Sequence, residues 1–92
     1  MHTDEYEISL AREISVCKGV IKQTETQLTR RKQRFGMDLP QVIEAAAKGS
    51  PVIDGKELVD WQEDVEALSQ WEQRLEQYRE ALVFMRISAS RF

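Results

Sequence analysis

Apolar residues recur at helical spacing in two long stretches of the chain, and a short segment rich in glycine and proline separates them. The first stripe consists of Leu10, Ile14, Cys17, Ile21, Thr24, Leu28, Arg31 and Phe35. The second consists of Leu58, Trp61, Val65, Leu68, Trp71, Leu75, Tyr78, Leu82 and Met85. Steps of three and four residues keep one seam of each helix facing a partner helix. The pattern therefore predicts an all-α fold in which two long helices form an antiparallel hairpin.

Local signals divide the chain of 92 residues into three helices, at about 4–35, 39–48 and 55–88, within a single domain. Gly36 fits the end of the first helix, because glycine readily adopts the left-handed conformation that follows a helix. Asp38 and Gln41 have the spacing of a capping box, which predicts a short second helix at the closed end of the hairpin. That helix is expected to end at Gly49, before Pro51, and Asp54 and Glu57 predict a second capping box at the third helix.

The charges agree with an antiparallel hairpin. Basic residues end the first helix, and the third helix opens with an excess of acids, so these two regions attract each other only if the chain folds back. Arg31 lies in the apolar seam and is predicted to pair with Asp60 or Asp64. At the other end, Arg79, Arg86 and Arg91 are expected near Asp4, Glu5 and Glu7.

Composition narrows the classes of function. The net charge of −3 argues against general affinity for nucleic acid or an anionic membrane. No apolar run is long enough to span a bilayer, and the acidic N-terminus is unlike a signal peptide. The single cysteine, Cys17, is expected to be a buried structural thiol. We therefore expect a cytoplasmic protein.

Candidate chemistry is sparse. His2 is the only histidine, no cysteine pair is present, and the glycines form no phosphate-binding loop, so we expect no metal site, no cofactor and no catalytic residue. The acids Glu63, Asp64 and Glu66 are expected to form a solvated helix face rather than a catalytic site. We therefore do not expect an enzyme.

The half of the hairpin that holds the chain termini has more apolar surface than one seam can hide. We predict a protein interface there, formed by Val16, Val20, Trp71, Tyr78, Phe84 and Ile87. Large apolar patches usually mark association, and so small a chain has few other means of burying surface. The expected result is a homodimer with four helices. The alternative is a broader intramolecular core, covered by the tail from Ser88 to Phe92.

The basic run near the end of the first helix allows an alternative contact with nucleic acid. The run supplies four cations, from Arg30, Arg31, Lys32 and Arg34. Such a patch could bind phosphates, but a helix end that is neutralised by the acidic third helix accounts for it better. Binding that weakens steeply with salt would favour the nucleic-acid alternative.

The segment from Leu28 to Leu82 resembles small helical proteins encoded in prokaryotic toxin–antitoxin loci. The resemblance rests on Phe35-Gly36-Met37-Asp38-Leu39, Gly49, Asp54 to Glu57, Asp60-Trp61, Leu68, Leu75 and Leu82. It differs from the usual pattern at Asp38 and Val42, where such proteins often have a hydroxyl residue and an aromatic one. The resemblance implies a non-enzymatic protein that binds and masks a partner, and it implies no particular site residues.

Taken together, the sequence predicts a non-enzymatic protein–protein interaction module that packs its helices against itself or a partner protein, with an antitoxin-like role as one form. The alternatives are a nucleic-acid-associated regulator that uses residues 30–34 and a purely structural self-assembling module. A stable homodimer without a further partner would favour the last of these.

Overall fold

Three helices make up most of the chain. The computed structural model describes residues 2–50 and 52–90, with the side chains of residues 5–50 and 52–88. Helix α1 covers His2–Phe35, α2 covers Leu39–Ala47 and α3 covers Gly55–Ser90, and the described residues contain no strand. The long helices α1 and α3 pack against each other with α2 between them in the chain, which confirms the predicted helical hairpin.

The predicted helix limits differ from the observed ones by at most two residues. Helix α2 ends one residue earlier than expected and α3 extends two residues further. The expectations for Pro51, Arg91 and Phe92, and those for the side chains of His2, Asp4 and the other residues of the two ends, lie outside the described parts of the chain.

Glycines and a capping box set the limits of α2. Gly36 follows α1 with a φ of 66°, and its N–H donates to the Lys32 carbonyl at 2.9 Å. Asp38 caps α2 as predicted: its carboxylate accepts from the Gln41 N–H at 3.0 Å, and the Gln41 side chain accepts from the Asp38 N–H at 2.9 Å. Both bonds satisfy N–H groups that a helix start leaves without partners.

The end of α2 is a Schellman turn centred on Gly49, whose φ is 82°. The Ser50 N–H donates to the Ala45 carbonyl at 3.1 Å, and the Gly49 N–H donates to the Ala46 carbonyl at 3.0 Å. This pair of bonds is characteristic of a helix that ends in a left-handed residue. A side chain at Gly36 or Gly49 would therefore strain the backbone at either end of the connection.

The start of α3 differs from the predicted capping box. The Asp54 carbonyl accepts from the Leu58 N–H at 3.0 Å, which is the first bond of the helix. The Glu57 carboxylate, however, binds Arg34 and does not return to the Asp54 N–H. The guanidinium competes for the acid because its full positive charge adds a charge–charge attraction that the neutral Asp54 N–H lacks.

The helices form two compact units. The first combines the part of α1 up to Lys22 with the part of α3 from Gln70 onward, and its core side chains are Leu10, Ile14 and Cys17. Cys17 is fully buried, as predicted for a structural thiol. Arg86 donates to the Glu7 carboxylate at 3.0 Å, which confirms one of the predicted charge pairs and the antiparallel direction of the helices.

The second unit, Gln23–Ser69, contains α2 and the adjoining parts of the long helices. Val42 of α2 and Trp61 of α3 are its buried apolar side chains. The Phe35 ring stacks on Trp61 with 5.6 Å between the ring centroids. Val42 therefore fixes α2 to this unit, since the opposite side of so short a helix faces solvent.

The packing predicts unequal sensitivity of two adjacent residues in α2. Val42 is fully buried, whereas Ile43 is 39% exposed. Val42→Ala should lower the free energy of unfolding by about 2 kcal/mol, because it removes buried methyl groups and leaves a cavity. Ile43→Ala, the matched control, should cost about 1 kcal/mol, because part of the side chain is already exposed and alanine favours a helix. Urea unfolding followed by circular dichroism measures both. Equal losses would show that α2 is not held by Val42.

Candidate protein interface

The outer face of α3 presents the aromatic side chain with the highest exposed fraction among the described residues. Phe84 is 71% exposed, and Val83 and Ile87 beside it are more than half exposed. Phe84 follows Leu75 by nine residues, which is about two and a half helical turns, so it lies on the side of α3 opposite Leu75. The heptad stripe that contains Leu75 packs toward α1. Phe84 is therefore directed away from the hairpin.

A shallow groove runs along this outer face. Its volume is about 340 Å³, and its lining residues are Glu76, Arg79, Glu80, Val83, Phe84 and Ile87. All six lie on α3 at steps of three and four residues, so helical geometry alone brings them together. We call these six residues the α3 outer face. Its apolar part lies toward the C-terminus, and its charged part lies one to two turns earlier.

The structure separates the six predicted interface residues into three places. All belong to the first unit, in the half of the hairpin with the termini. Trp71 and Tyr78 are half-buried on the seam side of α3, Val16 and Val20 lie on α1, and Phe84 and Ile87 lie on the α3 outer face. Phe84 lies on the side of α3 opposite Leu75, and Ile87 is exposed on the same outer face. The six residues therefore do not share one helix face.

The basic run is engaged with acids of α3. Arg31 donates to the Asp64 carboxylate at 2.5 Å, and this confirms the predicted pairing across the hairpin. Arg34 holds the Glu57 carboxylate, with 2.6 Å between Nη2 and Oε2, and its guanidinium also lies 4.8 Å from the centre of the Phe35 ring. Arg30 and Lys32 are exposed. Two of the four cations are thus partly neutralised, which leaves less positive charge for a phosphate backbone.

The Arg31–Asp64 pair belongs to the packing of the hairpin. Arg31 is 21% exposed and Asp64 32%, whereas Arg34 is 63% exposed. Two opposite charges that are partly shielded from water attract each other more strongly than two fully exposed ones. The removal of water from each charge also costs more free energy. Such a pair contributes little net stability and instead penalises any register in which the two charges are separated.

A second groove, which the sequence did not predict, lies beside α2 in the second unit. Its volume is about 380 Å³, and its lining residues are Glu25, Leu28, Thr29, Lys32, Asp38, Leu39, Trp61, Val65 and Leu68. It forms because α2 begins at Leu39 and covers only part of the seam. No periodic signal could reveal it, since its shape depends on where the short helix docks. Its charged members include two acids, Glu25 and Asp38, and one base, Lys32.

No group of three metal-ligating side chains (histidine, cysteine, aspartate or glutamate) occurs among the residues that the structure describes. Within the same residues, no helix is long and apolar enough to cross a membrane. Comparison of the chain with protein-family models, with curated proteins and with solved structures finds no match.

The two ion pairs of the basic run should differ in coupling energy. A double-mutant cycle with Arg31→Ala and Asp64→Ala should give about 1 kcal/mol of favourable coupling, discounted for the partial exposure of both groups. The matched cycle at Arg34 and Glu57 should give only a few tenths of a kcal/mol, because Arg34 is exposed and water screens the pair. Urea unfolding at low and high salt measures both. A larger coupling at Arg34–Glu57 would contradict the assignment of Arg31–Asp64 as the register pair.

Proposed function

We propose that this protein is a non-enzymatic protein–protein interaction module that acts by packing the α3 outer face against another helix. The single observation that carries the proposal is the exposure of Phe84, Val83 and Ile87 together on one face of α3. Exposed apolar patches of this kind mark association sites, and aromatic residues are enriched at the centres of interfaces. Charged side chains beside the patch supply the polar rim that such interfaces have.

The energy available from this face is sufficient for a specific contact. Complete burial of a fully exposed Phe, Val or Ile side chain contributes about 1.5–3 kcal/mol, and Val83 and Ile87 gain about half of that because they are already half covered. Because association also costs translational and side-chain freedom, the three residues support a moderate affinity rather than a very tight one. Self-association into a four-helix arrangement is the simplest form of this function, since a second copy is always present at the same concentration.

The alternatives have weaker support. The proposal is non-enzymatic because it uses only the exposed apolar group of α3 and assigns no chemical step to any side chain. A nucleic-acid-associated role through Arg30, Arg31, Lys32 and Arg34 stands second, because two of these cations already hold carboxylates. A purely structural self-assembling module would use the same α3 face and would have no further partner.

An antitoxin-like role is one form of the proposed function. It rests on the sequence resemblance around Phe35 to Leu39 and Asp60-Trp61, and in it the chain would bind and mask a partner protein. Recovery of one defined protein from the native cell with this chain as bait, at equal stoichiometry and lost with the Phe84→Asp bait, would support that form.

The proposal predicts a selective effect of Phe84→Asp. The change should weaken association strongly and leave the helices intact, because the side chain is outside the intramolecular core. Gln62→Asp, which adds the same charge at an exposed position of the same helix, should leave association unchanged. Sedimentation equilibrium measures association, and circular dichroism measures helix content.

Two results would count against the proposal. Loss of helix in Phe84→Asp would show that the residue belongs to the core. Association with itself and with native-cell proteins that is the same for Phe84→Asp and the parent chain would show that the α3 outer face is not the interaction surface.

A further inference from the structure

The outer faces of the two long helices carry opposite charge. On α3, the acids Glu76 and Glu80 lie beside the apolar group, with Arg79 at the edge of the groove. On α1, the corresponding surface lies opposite Cys17, which follows Ile8 by nine residues, or about two and a half turns. Both surfaces belong to the first unit of the structure.

The outer surface of α1 carries more bases than acids, and the exposed acid Glu5 lies at its N-terminal end, three residues before Ile8. We call this surface the α1 outer face, and its members are Ile8, Ala11, Arg12, Ser15, Lys18, Gly19 and Lys22. All seven residues are exposed, and Ile8 is 58% exposed. Nothing lies within 4 Å of the position that a Cβ would occupy at Gly19. The face therefore offers an apolar residue at one end, three cations, and small side chains in the middle that let another helix approach.

Each face also repeats one sign of charge at a four-residue step. Glu76 and Glu80 are neighbours on α3, and Lys18 and Lys22 are neighbours on α1. Like charges at this spacing destabilise a helix by about 0.2–0.5 kcal/mol per pair. Four charged residues of the two faces make no ion pair with another described residue: Arg12, Lys18, Glu76 and Glu80. A partner helix with bases opposite Glu76 and Glu80 would relieve the repulsion on α3.

We propose that a second copy of this chain is the partner, and that its α1 outer face docks antiparallel on the α3 outer face of the first copy. This inference rests on the proposed function and names the occupant of that same face. Charge complementarity selects the occupant, because the α1 outer face offers Glu76 and Glu80 the cations Arg12 and Lys18, whereas a second α3 outer face offers them only Arg79. The α1 outer face is the exposed surface of the first unit that pairs cations with an apolar anchor.

The register of the hairpin supports the antiparallel direction. Within one chain, Arg86 lies opposite Glu7. When a second copy is placed within one turn of that register, Ile87 faces Ile8 and Phe84 faces Ala11. Glu80 then lies between Arg12 and Lys18, and Glu76 lies beside Lys18. In the parallel direction, Phe84 and Ile87 would instead face the cations at Lys18 and Lys22, and the acids would lie toward Ile8.

The contact is heterologous, because two different faces meet. Two hairpins joined in this way form a four-helix layer, and each end of the layer still presents one of the two faces. Contacts of this type close into a ring or continue as an open assembly. The mass in solution is therefore expected to exceed that of a dimer as the protein concentration rises.

Charge reversal on each face, alone and combined, tests the inference. R12E/K18E and E76K/E80K should each lower the self-association constant by about tenfold or more, since each places like charges across the contact. An equimolar mixture of the two variants should associate again, because every α1 face then meets an α3 face of opposite charge. The quadruple variant, which keeps the parent's net charge of −3, should associate by itself.

The matched control is R30E/K32E, which makes the same change of charge at exposed positions of α1 outside both faces. It should associate like the parent chain. Sedimentation equilibrium at fixed salt measures every variant, with circular dichroism to confirm that helix content is unchanged.

The remaining outcomes overturn the inference. If R12E/K18E associates like the parent while Phe84→Asp does not, the α3 face binds itself and only the proposed function stands. If the mixture and the quadruple variant fail to recover association, the two faces do not meet. A parent chain that stays monomeric at high micromolar concentration removes the second copy as partner, and a native-cell protein that still binds through Phe84 would leave the proposed function intact.

Discussion

Two helices packed side by side can each bury only one stripe of side chains, and this limit governs the rest of the molecule. Among the described residues, five apolar side chains are buried, whereas ten large ones are exposed. A chain of 92 residues already has a high ratio of surface to volume, and a hairpin has a higher one than a globule of the same length. The hairpin therefore leaves large apolar residues exposed, Phe84 most of all, and the proposed association would bury them.

Charge and capping set the direction and register of the hairpin, since the few buried contacts alone are a weak constraint. The pairs Arg31–Asp64 and Arg34–Glu57 lie in one unit and Glu7–Arg86 in the other. Each joins α1 to α3 in the same antiparallel sense. The left-handed residues Gly36 and Gly49 end the helices on either side of Asp38, so the reversal of direction occurs at one defined place. Slippage by one turn would separate the charges and leave Val42 without its packing partners.

Most of the fold could be predicted from the sequence because its signals are local. The capping box at Asp38 and Gln41 and the left-handed Gly36 depend on residues at most a few positions apart. Arg31 was predictable because a charge within an apolar stripe requires an opposite charge across the seam. The Glu57 contact was not predictable, because Arg34 and the Asp54 N–H compete for the same carboxylate and only the packed structure decides between them.

The candidate interface could be predicted only in part. The excess of apolar residues near the termini was visible in the sequence. The side of α3 on which Phe84 lies was not visible, because the apolar stripe shifts around the helix after Trp71. To group Val16 and Val20 with Phe84, the prediction needed the rotation of each helix about its own axis. A wide apolar stripe does not define that rotation closely. The groove beside Trp61 depends on the docking of α2, for which the sequence has no periodic signal.

The central claim is that the hairpin completes its burial of apolar surface by association. The most direct test is the midpoint of thermal unfolding, followed by circular dichroism, across protein concentrations from micromolar to millimolar. Because association stabilises the folded state by mass action, the account predicts a midpoint that rises steadily with protein concentration. A midpoint independent of concentration over that range, from a chain that sediments as a monomer, would contradict it.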